Sequence, residues 1–222
     1  MNNTPGNFFG PKIDVSELAT GTQGQIIYYG ASGTPAALNA GTSGQFLKTQ
    51  GAGANPVWSN VGTMVFLGSA SLGSAASTLT LSGLTTSAYK FLIIHVIEKS
   101  DSSATNHTTR MIFNADSGAN YAHTISTDAG AVSSSTGDTA LTIMPSTDNS
   151  DWSFFEGKLR NEAATKKIMI GQSCSNVDAT LQLGQSSLRW DNTANTLTSI
   201  NITKAENFAI GTSIYVWGLA DS

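Results

Sequence analysis

From about Thr63 onward, apolar and polar residues alternate in short runs, and each run is bounded by a cluster of Ser, Gly, Asn or Asp. A period of two marks strands with one buried face, and the small polar clusters mark the turns between them. The pattern predicts strands over Met64 to Ala70, Ser77 to Leu81, Tyr89 to Glu98, Thr108 to Asn114, Tyr121 to Ser126 and Thr139 to Ile143. It continues with Trp152 to Leu159, Lys167 to Ser173, Thr180 to Leu183, Leu197 to Ile202 and Ser213 to Leu219. The β-branched and aromatic residues of Tyr89 to Ile94 and Ile214 to Trp217 suit a pleated surface. Glu156 to Lys167 is the one stretch that reads as a helix, but its Glu162-Ala163-Ala164-Thr165 centre fits a hairpin connection as well. Two antiparallel sheets packed face to face bury strands of this kind. The expected fold is therefore all-β: an antiparallel, jelly-roll-like β-sandwich over residues 63–222, preceded by an extended N-terminal segment of short β repeats over residues 1–62.

The N-terminal segment carries an internal repeat. Gly21-Thr22-Gln23-Gly24-Gln25-Ile26-Ile27 returns as Gly41-Thr42-Ser43-Gly44-Gln45-Phe46-Leu47. Further on, Gly30-Ala31-Ser32-Gly33-Thr34-Pro35 is echoed one residue out of step by Gly51 to Pro56, and Val57-Trp58 adds a second apolar patch. Each unit reads as turn, short strand, turn, short strand. Such a unit offers about two apolar residues per strand, too little to offset a backbone ordering cost of roughly 1–2 kcal/mol per residue. Two repeats are also fewer than the roughly three that a self-supporting solenoid needs. The missing surface must come from other chains, which makes residues 1–62 an assembly and anchoring segment. Ile26, Ile27, Phe46, Leu47, Val57 and Trp58 are its candidate interface residues. A floppy linker is the opposing reading, and the repeated Gln with paired aliphatics argues against it, since linkers need no apolar spacing.

Composition narrows the partners. Charged residues make up 12% of the chain, about half the usual share, and the net charge is -4. Neither a basic cluster nor a basic excess is present to attract phosphate or anionic lipid, so nucleic acid and membrane partners are not expected. The longest apolar run, Phe91 to Ile94, is far short of the roughly 20 residues that cross a bilayer. Met1 to Gly6 lacks the basic start and apolar stretch of a secretory signal, so assembly in a cytoplasm is expected. Cys174, the only cysteine, rules out an intrachain disulfide and reads as a buried, inert thiol.

No residue set spells out a reaction. His95, His107 and His123 show no metal-ligand spacing, and His95, in the most apolar strand, reads as a hydrogen-bonded structural histidine. Asp101, Asp116, Asp128, Asp138, Asp148 and Asp151 fall in turn-like stretches, where a short carboxylate routinely accepts from neighbouring amides. They follow no EF-hand or nonapeptide spacing for calcium. Glycoside hydrolysis needs two acids about 5–9.5 Å apart, and nothing in the sequence marks such a pair. A Gly-x-Ser-x-Gly elbow is absent, and Gly51 to Ala54 lacks the Lys-Ser/Thr of a phosphate loop. Trp58, Trp152, Trp190 and Trp217 suit a core or a subunit interface better than a sugar-stacking platform. The expectation is no catalysis, no cofactor and no metal.

The run Arg110-Met111-Ile112-Phe113-Asn114-Ala115-Asp116-Ser117-Gly118-Ala119-Asn120-Tyr121 resembles a module of tailed-bacteriophage structural and tail-fibre proteins. In that module an Arg, apolar, Phe, Asn strand leads into an Asp-Ser/Thr-Gly turn and Asn-Tyr. Asn207 to Leu219, with Trp217-Gly218-Leu219 at its end, is similar to the module's closing strand, and Tyr89-Lys90-Phe91 to the start of its central one. The Gly-Thr-x-Gly-Gln units are similar to repeats that precede such modules. The likeness covers most of residues 64–222. It implies a virion protein, commonly trimeric and without catalysis, whose partner is the major capsid protein or a tail protein of the same particle. With two repeats and no long shaft, a capsid decoration, cement or head-fibre protein is the leading expectation. The alternative is a short tail fibre or tail-tip protein that recognises a host-surface glycan through loops at residues 100–107 and 127–138.

Overall fold

The computed structural model describes residues 20–60, 64–103, 108–127, 130, 132–144, 151–177 and 180–219. The chain divides into two compact units, Met1–Val61 and Gly62–Ser222. The described residues form antiparallel strands, turns and one 3-10 turn at Ala31–Gly33, with no α-helix among them.

The first unit holds four short strands: β1 (Ile26–Tyr29), β2 (Pro35–Leu38), β3 (Gln45–Lys48) and β4 (Val57–Asn60). They pair as two antiparallel hairpins, β1 with β2 and β3 with β4. The second unit begins with β5 (Met64–Ser71), β6 (Ala76–Leu81), β7 (Phe91–Glu98), β8 (Thr109–Phe113), β9 (Tyr121–Thr127) and β10 (Val132–Asp138). It continues with β11 (Leu141–Met144), β12 (Ser153–Arg160), β13 (Lys167–Val177), β14 (Thr180–Trp190), β15 (Ile200–Phe208) and β16 (Ser213–Leu219). An eight-stranded sheet runs β10-β9-β14-β13-β12-β7-β16-β5, and a four-stranded sheet runs β11-β8-β15-β6, with every pairing antiparallel. Their facing sides close over one core, in which Leu92, Ile94, Phe155, Leu159, Trp190 and Val216 of the large sheet meet Met111, Phe113, Ile200, Ile202 and Phe208 of the small one. This is an all-β antiparallel sandwich.

Alternation sets the burial. β12 reads buried, exposed, buried, exposed along its length, with Phe155 and Leu159 inward and Phe154, Glu156, Lys158 and Arg160 outward. The Phe155 ring lies flat against Gly171, where an added Cβ would stand 2.5 Å from it, so the glycine clears the space that the ring fills. At the end of β16 the Tyr89 ring covers Gly218 so closely that a methyl there would overlap it. The Tyr89 and Gly218 of the phage-like motifs are therefore one packing pair.

Two buried polar clusters tie the layers together. Glu98 on β7 and Lys204 on β15 face each other across the core, 3.5 Å apart and with both side chains fully buried. The Thr109 hydroxyl lies 2.7 Å from both Glu98 oxygens, and the Lys204 ammonium stands 4.7 Å from the centre of the Phe208 ring. Asn161, buried after β12, donates to the Thr86 and Tyr89 carbonyls and accepts from the Leu197 amide at 2.8 Å, joining three connections.

Several expectations need correction. Residues 132–138, expected in a distal loop, form the edge strand β10 paired to β9, so Asp138 ends a strand and does not sit in a turn. The strand begun at Thr180 runs on to Trp190. Gly184 and Ser186 are buried positions within it. Glu156 to Lys167 is the end of β12, a turn and the start of β13, as the hairpin reading has it.

Candidate assembly surface

The repeated Gly-Thr-x-Gly-Gln unit is a turn closed twice. In each copy the Gln amide donates to the Thr carbonyl, Gln25 to Thr22 and Gln45 to Thr42, both at 3.1 Å. The Gln side chain also bends back, so that its carboxamide oxygen accepts from the Thr22 or Thr42 amide at 2.8 Å. Gly24 and Gly44 sit at φ of +84° and +87°, where a side chain is strained, which fixes the second glycine of the motif. The first glycine leaves room for the carboxamide, since a Cβ on Gly21 would lie 2.8 Å from the Gln25 oxygen. Asn39 links the copies: its side-chain oxygen accepts from Gln25 at 2.7 Å, and its carbonyl accepts from the Trp58 indole at 2.6 Å. The Trp58 ring lies against Gly41.

These turns fix hairpins with nothing to bury. None of residues 20–59 is buried. In the first hairpin, Ile26 pairs with Leu38 and Tyr28 with Ala36 on one face, while Ile27 pairs with Ala37 and Tyr29 with Pro35 on the other. In the second, Leu47 pairs with Trp58 on one face, and Phe46 and Val57 lie on the other. All six candidate interface residues thus sit in the hairpins, divided between both faces of each. Ile26, Val57 and Trp58 are half-buried, whereas Ile27 is 60% exposed, Phe46 40% and Leu47 45%. Tyr29, 78% exposed, belongs with them and was missed by a reading that took only the first two residues of Ile-Ile-Tyr-Tyr. Ile27, Tyr29, Phe46 and Leu47 together expose roughly 500 Å², worth about 12 kcal/mol gross if covered at 25 cal/mol/Å². Association costs about 4–15 kcal/mol, which is of the same order as that gross gain.

His95 points outward from β7, its Nε2 2.9 Å from Glu156 Oε2 and its ring 4.7 Å from that of Trp217. His123 Nδ1 lies 3.1 Å from Asp138 Oδ2, and Ser135 donates to the other oxygen of that carboxylate, so Asp138 does not complete a relay from a serine through a histidine. His107, Asp128 and Asp148 lie outside the described residues. Asp101 and Asp151 occupy bends. Among the tryptophans, Trp190 is in the core, Trp58 and Trp217 are half-buried and Trp152 is 48% exposed, so the core accounts for one of the four. Cys174 is half-exposed on the outer side of β13, which corrects the expectation of a buried thiol. Among the described residues no group of three His, Cys, Asp or Glu side chains is placed to hold a metal.

The phage-like motif is itself a locked turn. Asn114 and Ala115 adopt φ of +51° and +54°, and the Asp116 amide closes the turn onto the Phe113 carbonyl at 2.9 Å. Asn114 Oδ1 accepts from the Thr198 and Ser199 amides, and its amide group donates to the Thr196 carbonyl. Asp116 accepts from the Gly118 amide at 3.0 Å, the Asn120 side chain at 3.0 Å and the Trp190 indole at 2.8 Å. Partial burial alone would raise the Asp116 pKa, but the bonds from Trp190, Gly118 and Asn120 outweigh it and hold the carboxyl below its ordinary value. The Tyr121 hydroxyl accepts from the Phe113 amide and donates to the Asp116 carbonyl, and burial pushes its pKa up. The polar side chains of Asn-x-Asp-x-x-x-Asn-Tyr bond the backbone of their own corner, the 196–199 segment, one another or Trp190. The motif is structural and offers no free acid or base.

Comparison with protein-family models, with curated proteins and with solved structures finds no match to this chain.

Proposed function

We propose that this chain is a non-enzymatic structural protein of a tailed-phage particle, a capsid decoration, cement or head-fibre protein. Its N-terminal hairpins anchor it to the major capsid protein, and copies act together as a homo-oligomer, a trimer in the leading reading. The observation that carries the proposal is the pair of hairpins at residues 20–60, shaped by their own turns yet apolar on both faces and without a buried residue. An isolated two-stranded hairpin is marginally stable in water, and an apolar one with free edges suits insertion beside strands of another chain. Backbone pairing then supplies direction, while burial of Ile27, Tyr29, Phe46 and Leu47 supplies free energy. The likeness of Arg110 to Tyr121 and of the closing strand to phage modules gives the particle as the setting.

A second reading, a short tail fibre or tail-tip protein that binds a host-surface glycan, is favoured by Trp152. Its half-exposed ring beside Gly211 is a flat surface on which a sugar can stack. Mixing the purified full chain with capsids stripped of it, and separately with host cells, divides the two. The proposal expects saturable capsid binding at a fixed copy ratio, lost in Ile27→Asp/Tyr29→Asp, with no binding to cells. Binding to cells alone, abolished by Trp152→Ala, establishes the second reading instead.

A further inference from the structure

We infer that the outward face of the eight-stranded sheet is covered by another copy of this chain. This goes beyond the anchoring role of the hairpins and stands independently of it.

The two outer faces of the sandwich differ in kind. On the four-stranded sheet the outward positions are Thr78, Thr80, Arg110, Ile112, Thr142, Asn201 and Thr203, polar but for Ile112. On the eight-stranded sheet, Phe66, Phe154, Ile168, Ile170, Leu181 and Leu183 project outward, each between 38% and 68% exposed. The register gathers the apolar residues into rows, with a polar row of His95, Glu156, Gln172 and Gln185 between them. Ile97, Phe154, Cys174 and Leu183 stand side by side across four strands, and Phe66, Trp217, Ile93, Lys158 and Ile170 across five. Aromatic rings pave one end, with Phe66 5.9 Å from Trp217 and His95 5.3 Å from Phe154.

Sequence pattern and area both require a cover. Antiparallel sheets with one face in water alternate polar and apolar residues, whereas Phe91 to Ile94 and Ile168 to Ile170 are unbroken apolar runs, the pattern of strands covered on both sides. The exposed large apolar side chains of this face, with Met64 and Phe91 included, present roughly 900 Å². Spread over several rows of the sheet, that is comparable to the roughly 800 Å² each partner gives to a stable interface.

The charges favour a copy of the same face as the cover. Glu156, Lys158 and Arg160 follow one another on the outward side of β12 in the middle of the apolar field. Both signs are thus present on one strip, and a facing copy can set its own Lys158 against the exposed Glu156, while Arg160 is already held by Glu162. A partner of one sign would leave one of them opposed.

The test is the mass of the free full-length chain, by light scattering after size exclusion and by native mass spectrometry at micromolar concentration, with no capsid present. The monomer is 23.1 kDa. The wild type should run at an integral multiple of that mass. Ile170→Glu/Leu183→Glu should run as a monomer with unchanged far-UV circular dichroism, and Thr78→Glu/Thr80→Glu, on the polar face, should keep the wild-type mass. Cys174 gives a second readout, since maleimide should label it at least tenfold faster in the monomeric variant than in the wild type. A monomeric wild type, whether Cys174 is shielded or open, overturns the inference, as does a double variant of unchanged mass. A double variant of unchanged mass removes this face alone, a monomeric wild type removes the homo-oligomer of the proposed function as well, and because capsids are absent neither touches the anchoring role of the hairpins.

Discussion

The buried pair Glu98–Lys204 gives the sharpest test of how this sandwich is held. At 3.5 Å and an effective dielectric near 20, the gross attraction is about 5 kcal/mol, set against several kcal/mol to strip water from each ion. The net worth of the pair is small, but the cost of breaking it is not. Lys204→Met leaves the Glu98 carboxylate in the core with the Thr109 hydroxyl but without its cation, and should destabilise the protein by about 3–5 kcal/mol. For a unit of this size that lowers Tm by about 8–15 °C. Glu98→Gln, which strands the ammonium, should cost a similar amount. Glu98→Leu/Thr109→Val/Lys204→Met removes the whole polar cluster at nearly constant volume and should return to within about 2 kcal/mol of wild type. The pair also leaves a signature in pH. Burial lowers the Lys204 pKa and Glu98 raises it back in part, for a net value below 10.5. The folded chain therefore binds this proton less tightly than the unfolded one, and wild-type stability relative to Lys204→Met should rise with pH between the folded value and 10.5. Urea melts at fixed protomer concentration across that range measure both effects. A Lys204→Met loss under about 1 kcal/mol, or a triple variant weaker than the single, would refute the reasoning.

Gly218→Ala should cost about 1–3 kcal/mol by driving a methyl into the Tyr89 ring, and should be nearly neutral in a Tyr89→Ala background, as urea midpoints will show. Asn161→Leu leaves the Leu197 amide without its acceptor and frees the Thr86 and Tyr89 carbonyls, a loss of about 3–5 kcal/mol readable by thermal unfolding. Asp116→Asn should destabilise by about 1–2 kcal/mol at pH 7, where the carboxylate accepts from Trp190 and Gly118. Because the folded Asp116 pKa is depressed below 3.8, its contribution is present above that value and lost as pH falls through the folded one. The gap between wild type and variant in thermal melts should therefore close in acid.

Strand positions were legible because period-two alternation survives wherever one face is buried: Ser213 to Leu219 is a strand at its predicted limits, and Tyr121 and Lys167 begin strands where the pattern begins. Val132 to Asp138 was not legible, since Val-Ser-Ser-Ser-Thr-Gly-Asp on a sheet edge buries nothing and leaves no apolar trace. Nor could alternation say which charged residues go inside. Glu98 and Lys204 are buried because pairing distant in sequence brings each to the other, and Lys167 is buried with its ammonium on the Thr165 and Asn192 carbonyls. Trp190 looked equivalent to Trp152, yet Trp190 is inward because its strand continues past a glycine and serine stretch that resembles a turn. For the hairpins, the repeat itself was the signal, and the double use of Gln25 and Gln45 in their own turns explains why Gln recurs while the apolar residues after it vary. The outward apolar face also had a signal, the unbroken runs at Phe91 and Ile168, which a search for alternation alone treats as strong strands and passes over.

The scarcity of charge takes on meaning once the few ionic groups are placed. Lys166 and Arg189 share Asp191 at 3.2 and 2.7 Å, Arg160 holds Glu162, His123 meets Asp138, and Glu98 meets Lys204 inside. Many of the charges are thus consumed in local geometry, and the net charge of -4 spread over 222 residues leaves little field beyond the surface. A protein that must find a charged target by diffusion gains from such a field, which raises the rate of encounter. One that joins an assembly at high local concentration gains instead from apolar area and from repetition by symmetry. Screening acts only on fields that exist, so contacts of the second kind should hold across the salt range in which steered complexes weaken. Under the proposed function, both apolar surfaces of this chain, on the hairpins and on the large sheet, work in that second way.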